Sequence, residues 1–275
     1  MEKRITENEN TNVQDNTNVN NNPSGQRKPL PVFNLIILDK SGSMHTVRRE
    51  AVDAYNETLG TIKAAQQKYA DTQQQFVSLA LFCRCGIDMV YDRVPADEAE
   101  LMDYDRYCPC CSTPLFDAVG ATISQLKAYA ETLDDYTALV TIITDGYENA
   151  SREWTGQGVK ALIEECRKLG WMVSFVGAME DAKEVATSIS IKNVIHWEQT
   201  HEGTQAMSRR ERDSRHSFFA RLSTLNCMFD EEPDMSVEER RKLRKEISDD
   251  YYMDNDNDNV NDNENENDND NLQSR

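Results

Sequence analysis

The chain has no apolar run of a length that would cross a membrane, and no positively charged start followed by an apolar segment. Neither a transmembrane helix nor a secretory leader is therefore indicated, and the expected location is the cytoplasm. Basic charge is also short: 30 Lys and Arg stand against 49 Asp and Glu, for a formal net charge of −19. Recognition of a phosphate backbone needs a concentrated basic face, so a nucleic-acid partner is not expected. No glycine-rich phosphate cradle and no Ser-centred nucleophile elbow are visible, which leaves the commonest phosphoryl- and acyl-transfer machinery without its parts. The first 29 residues are poor in apolar groups and rich in Asn and Thr, so they cannot bury enough surface to order themselves.

What is present begins with Pro31–Leu38, eight residues that are nearly all apolar and often β-branched. Such a run reads as a parallel strand covered on both faces, and strands of that kind present ligands at their carboxyl ends. Asp39 stands at that end, followed by Ser41-Gly42-Ser43, where alternate side chains can converge around a tight backbone. A second apolar run, Ala138–Thr144, ends in Asp145-Gly146. Between the two, Thr113-Pro114 precedes apolar residues at helical spacing: Leu115, Val119, Ile123, Leu126 and Leu133. Thr113 is a favoured helix cap and Pro114 suits a first helical position, so Thr113 is expected to open that helix. Each of Asp39, Ser41, Ser43, Thr113 and Asp145 offers oxygen, with no histidine among them, a set suited to a hard divalent cation.

Asp-x-Ser-x-Ser, then a Thr on a later loop, then a strand-end Asp resembles the motif of the von Willebrand factor A (vWA) family and its metal-ion-dependent adhesion site (MIDAS). All five motif positions are filled here, and the likeness runs from about Leu30 to Trp197, weakening towards Phe229. The resemblance implies a doubly wound, mostly parallel six-stranded α/β sheet with helices on both faces. It also implies a bound Mg2+, with Mn2+ or Ca2+ as substitutes, and a protein partner whose Asp or Glu completes the coordination, in a domain that is not an enzyme. Related domains often carry glycine where this chain has Cys111.

Further elements follow from periodicity. Residues 46–70 and 155–169 read as helices, Phe76–Phe82 with Ile87–Tyr91 as a hairpin supplying an antiparallel edge strand, and 171–177 and 193–197 as short strands. Phe218, Leu222, Leu225 and Phe229 mark a closing helix. Ser236 and Glu239 form a capping-box pattern opening a charged helix, read as solvated. The expected organisation is a leader over 1–29, one vWA domain over 30–229, and a charged helix with an Asp/Asn tail over 230–275. Ten acids lie between Asp249 and Asp270, opposed only by Arg275. They lack the glycine and closing glutamate of an EF-hand, so a disordered, solvated tail is expected.

Cys83 and Cys85 fall near the end of one strand, and Cys108, Cys110 and Cys111 just before Thr113. Four thiols suffice for tetrahedral zinc. Neither Cys-x-Cys nor Cys-Pro-Cys-Cys has the usual paired spacing, however, and a fifth cysteine would be surplus, so free thiols rather than Zn2+ are expected. The competing functional class is a metal-dependent phosphatase or phosphotransferase on a similar sheet. That chemistry calls for a second carboxylate near Asp39 as general acid, where this chain has Ser41, with His45 as the only nearby substitute.

Overall fold

The structure is a computed structural model that describes residues 28–252. The expected Asn-rich leader, apart from Lys28 and Pro29, and the acidic tail from Met253 onward lie outside the described residues. Six strands form one sheet in the order β3-β2-β1-β4-β5-β6: β1 (Leu30–Asp39), β2 (Gln73–Cys83), β3 (Gly86–Pro95), β4 (Thr137–Thr144), β5 (Met172–Gly177) and β6 (Asn193–His196). All pairings are parallel except β2 with β3, which is antiparallel and places β3 at an edge. This is the vWA-like α/β architecture that the motif implied.

Because β1 is flanked by β2 and β4, its side chains are buried on both faces, and its apolar residues divide by parity. Val32, Ile36 and Leu38 join the core beneath α1 (Arg48–Lys68) and α5 (His201–Glu231). Phe33, Leu35 and Ile37 join the opposite core beneath α2 (Leu115–Ala130) and α3 (Gly156–Lys168), with the short α4 (Ala182–Ser188) at its margin. This period of two is why a continuous apolar run is needed: each alternate residue serves a different core. Strand order reverses between β1 and β4, the chain leaving β1 for β2 on one side and reaching β4 on the other. Crevices form at the carboxyl ends of strands at such a point, and Leu38 pairs in register with Ile143 there, which sets Asp39 beside Thr144.

The face under α5 also holds a buried polar chain. Asn34 Nδ2 donates to Gln75 Oε1 at 2.9 Å, Gln75 Nε2 to Gln73 Oε1 at 2.9 Å, and Gln73 Nε2 to the Phe219 carbonyl at 2.7 Å. Arg215, 1% exposed, donates to Thr141 Oγ1 at 2.7 Å and pairs with Glu211 at 2.5 Å. Glu211 also accepts from the hydroxyls of Tyr251 and Tyr252. Each buried charge is thereby matched by a partner of opposite sign or a hydroxyl.

One expectation is corrected here. Helix α6 (Val237–Asp249) has its capping box, with Glu239 N donating to Ser236 Oγ and Ser236 N to Glu239 Oε2, but it is not solvated on all sides. Arg244, 1% exposed, forms a two-point pair with Asp135 at 2.5 and 2.9 Å, and Ile247, Tyr251 and Tyr252 enter the core. Within the helix the docking contacts are the Arg244 pair and the apolar Ile247, and the aromatics lie just beyond it, so a count of apolar residues within the helix underrates them. Helix α4, only seven residues long, fills the helical stretch expected between the strands at 171–177 and 193–197. Among the described residues, no helix is long and apolar enough to cross a membrane.

Candidate metal centre

Asp39 ends β1 with no exposed surface. Its Oδ1 accepts from Ser41 N at 2.6 Å and its Oδ2 from Thr144 Oγ1 at 2.7 Å, so one oxygen is oriented by the turn that follows β1 and the other by the end of neighbouring β4. Lys40 N donates to the Phe82 carbonyl at 2.7 Å, carrying the β1 ladder one residue further before the chain turns. A 3₁₀ turn, Gly42–His45, then folds the loop back, so that Ser41 Oγ and Ser43 Oγ lie 3.2 Å apart. Ser43 Oγ donates to Asp145 Oδ1 at 2.6 Å. Asp39 forms the floor, while exposed Ser43 and half-buried Asp145 form the mouth.

Thr113 arrives from a third loop. Its amide donates to Asn149 Oδ1 at 2.9 Å and its carbonyl accepts from Asn149 N at 3.1 Å, which fixes it against the segment after β4. The space at Gly146 shows how the donors converge. A Cβ added there would lie 3.0 Å from Thr113 Oγ1, 3.3 Å from Ser43 Oγ and 3.6 Å from Asp39 Oδ2. Oxygens from two separate segments, the Asp39–Ser43 turn and the Thr113 loop, thus border one small volume beside a third, the loop after β4, and a side chain at position 146 would begin to fill it.

Thr113 does not open α2 as expected. The helix begins at Leu115 with Pro114 at its cap position, and no side-chain cap bond is made there. The orphan amides are met from across the sheet end: Glu148 Oε2 accepts from Phe116 N at 2.9 Å, and Ser151 Oγ from Asp117 N at 3.0 Å. Glu148 further accepts from Ala150 N, Ser151 N and Ser151 Oγ at 2.6–2.8 Å. Asp117 returns the contact, accepting from the amides of Arg152, Glu153 and Trp154 at 2.7–2.9 Å. With its capping role removed, the Thr113 hydroxyl is free to face the Gly146 space.

Electrostatics favour a cation. Burial pushes the Asp39 carboxyl up to about 6, hydrogen bonds from Thr144 and Ser41 pull it back, and the charge of Asp145 adds to the rise. Burial also raises Asp145, opposed by the Ser43 hydroxyl. Two carboxylates with three hydroxyls and no nitrogen or sulfur donor form a set that fits a hard divalent ion, and its positive charge would offset both burial costs.

Several contributors were not anticipated. Thr144 orients Asp39, Glu148 and Ser151 cap α2, Asn149 holds Thr113, and buried Tyr107 donates its hydroxyl to the Asp39 carbonyl. Thr144 carried a signal, a hydroxyl at a strand end next to Asp145. The others act across the fold and have no local signature. His45 lies exposed in the 3₁₀ turn.

No protein-family model and no curated protein sequence matches the chain. Among solved structures, it is similar to a D319A mutant of the PilB minor pilin from Streptococcus sanguinis, with 11% identity and a TM-score of 0.50 over 70% of this chain. The chain spans 63% of that pilin's length. It is also similar to the manganese-loaded TRAP protein of Plasmodium vivax, at 11% identity and a TM-score of 0.43 over 62% of this chain and 69% of that one. Proximal thread matrix protein 1 from the mussel byssus, described with a zinc-occupied MIDAS motif, is similar at 13% identity and a TM-score of 0.40, over 73% and 47% of the two chains. At these identities the pilin likeness speaks to fold alone, and the two lower scores add nothing to it.

Proposed function

We propose that the protein is a vWA-type interaction module in which Asp39, Ser41, Ser43, Thr113 and Asp145 hold one divalent cation, Mg2+ foremost. The observation that carries this reading is the space at Gly146, in the loop after β4, bordered by Ser43 and Asp39 oxygens from the turn after β1 and by the Thr113 hydroxyl from another loop. The residues fit the ion by type, being oxygen donors of net double negative charge once both carboxylates are ionised. A bound cation supplies a Lewis-acidic position for a carboxylate of a protein partner. The protein's own part is to fix the donors: Thr144 and the Ser41 amide orient Asp39, Asn149 fixes Thr113, and Ser43 and Asp145 leave the mouth open to solvent. The partner would present Asp or Glu, and the chain's acidity is no bar, because a divalent charge at contact outweighs screened acids farther off.

A phosphatase or phosphotransferase is disfavoured by the residues at the mouth. A general acid is required near Asp39, yet Ser41 and Ser43 occupy the adjoining positions and bond to each other. Calorimetric titration with MgCl2 and MnCl2 tests the site: one equivalent should bind to the native protein and none to Asp145→Ala. A partner should be retained on immobilised protein in Mg2+ and released by chelator. Binding of the ion unaffected by Asp145→Ala would overturn the site, and phosphate-ester turnover abolished by Asp39→Ala would overturn the non-enzymatic reading.

A further inference from the structure

A second cluster of donors sits next to the oxygen centre, and its chemistry is of the opposite kind. Cys83 ends β2, and the two-residue turn Arg84-Cys85 leads to Gly86 at the start of β3. Cys110 and Cys111 come from the segment ahead of Thr113. The fold brings these two places together: Cys83 Sγ lies 3.4 Å from Cys110 Sγ, Cys85 Sγ lies 4.0 Å from Cys110 Sγ, and Cys85 Sγ lies 3.3 Å from Cys111 Sγ. The sulfurs of Cys83, Cys85 and Cys110 all lie within 4.8 Å of one another. Zinc–sulfur bonds of about 2.3 Å at tetrahedral angles set sulfurs about 3.8 Å apart, so these three pairs need adjustments of only tenths of an ångström, and the Cys111 sulfur, outside the mutual group of three, has to shift farther to close the set.

We propose that Cys83, Cys85, Cys110 and Cys111 form a structural Zn2+ site that ties the β2–β3 hairpin tip to the loop carrying Thr113. The two objections raised by spacing are answered in three dimensions. The usual Cys-x-x-Cys pair brings two thiols to one ion through a local turn; here each loop contributes two thiols through its own turn. The surplus cysteine is Cys108, whose thiol points elsewhere and donates to the Asp105 carbonyl.

Three further features suit a metal. Cys111 is in the left-handed backbone region at φ 63°. That conformation is strained for a residue with a Cβ, and Cys111 holds it with its sulfur against that of Cys85. Cys85 N lies 3.4 Å from Cys83 Sγ and donates to it, the kind of backbone contact that supports a thiolate ligand. The loops are also joined through their backbones before any ion is considered, with Arg84 N donating to the Ser112 carbonyl at 2.9 Å. Four thiolate-type donors with no oxygen among them select a soft or borderline ion, and a closed set of four is the structural rather than catalytic arrangement of zinc.

The site would brace the oxygen centre. Cys110 N donates to the Lys40 carbonyl and Gly42 N to the Cys111 carbonyl, both at 2.8 Å, so the cysteine loop is bonded directly to the Asp39–Ser43 loop. The packing leaves no slack, because a Cβ at Gly42 would sit 3.2 Å from the Cys111 carbonyl oxygen. This bracing rests on the function proposed above; the zinc site itself does not.

The test is elemental analysis of the full chain purified under reducing conditions and incubated with Zn2+, followed by removal of weakly held metal on a chelating resin. About one equivalent of zinc is expected. It should fall below a tenth of an equivalent in both Cys85→Ser and Cys110→Ser, and stay near one in Cys108→Ser and Cys227→Ser. Asp145→Ala should keep its zinc, which separates this site from the oxygen centre. Co2+ loaded into the native protein should show the intense visible bands of tetrahedral thiolate coordination, a readout that does not depend on a variant folding. Zinc below a tenth of an equivalent in the reduced native protein, its retention in Cys110→Ser, or four thiols that pair as disulfides and take up no metal after reduction would each overturn the proposal.

Discussion

Replacing Asp39 by asparagine should stabilise the protein in the presence of chelator, although it removes a ligand of the proposed centre. Burial holds the Asp39 carboxyl at about 6, against 3.8 for an ordinary aspartate, so the folded chain binds that proton more tightly than the unfolded chain does. The sign follows by linkage: the stabilising contribution is complete below 3.8 and is lost as pH rises through about 6. At about 1.4 kcal/mol per pH unit, an ionised Asp39 costs the metal-free fold about 3 kcal/mol at pH 7. Asparagine has the shape of the protonated acid and can still accept from Ser41 N, while Thr144 Oγ1 can rotate to accept from its amide. Urea unfolding in EDTA, followed by tryptophan fluorescence, should give Asp39→Asn an advantage of about 3 kcal/mol at pH 7 that shrinks towards zero near pH 4. In millimolar Mg2+ the native protein should recover the difference, and the variant should not respond. An Asp39→Asn protein less stable than the native one in EDTA at pH 7 would refute the reasoning.

Other outcomes can be stated more briefly. Thr113→Ala should abolish Mg2+-dependent partner capture while changing stability by less than about 1 kcal/mol, since its hydroxyl caps no helix; Thr113→Ser should preserve both, and normal capture by the alanine variant would remove Thr113 from the centre. Glu148→Ala should cost about 2–3 kcal/mol in chemical denaturation, because one carboxylate serves four donors at the start of α2 and the following loop. Glu211→Ala should cost about 3–5 kcal/mol by leaving Arg215 buried without its counter-charge; a loss under about 1 kcal/mol would mean that water reaches the guanidinium.

The sheet was legible because its strands are buried on both faces and read as unbroken apolar runs, and because Asp39 and Asp145 follow two of them directly. That the two ends are neighbours is a property of strand order, which no local pattern states, and here it was supplied by the family resemblance. The role of Thr113 was misread for a physical reason: Thr-Pro ahead of a helical stripe is good capping chemistry, but Glu148 and Ser151 reach the same amides from a segment more than thirty residues away. The docking of α6 was hidden similarly, since Arg244 becomes a core residue only by finding Asp135, 109 positions earlier in the chain. The cysteines give the sharpest case. Their spacing argues against a common ion, whereas the hairpin geometry that sets Cys85 against Cys111 supports the shared ion proposed above.

The chain of amides and guanidinium between β1, β2 and α5 acts as a key cut for one lock. Sliding α5 by one helical turn, about 5.4 Å, would preserve much of its greasy contact with the sheet but strand Arg215 away from Thr141 and take the Gln73 amide off the Phe219 carbonyl. Oily surfaces tolerate such slippage; directional bonds in a dry interior do not. The long helix therefore has a single seating on the sheet, and its carboxy-terminal continuation, ending in two tyrosines on Glu211, can latch only when that seating is correct.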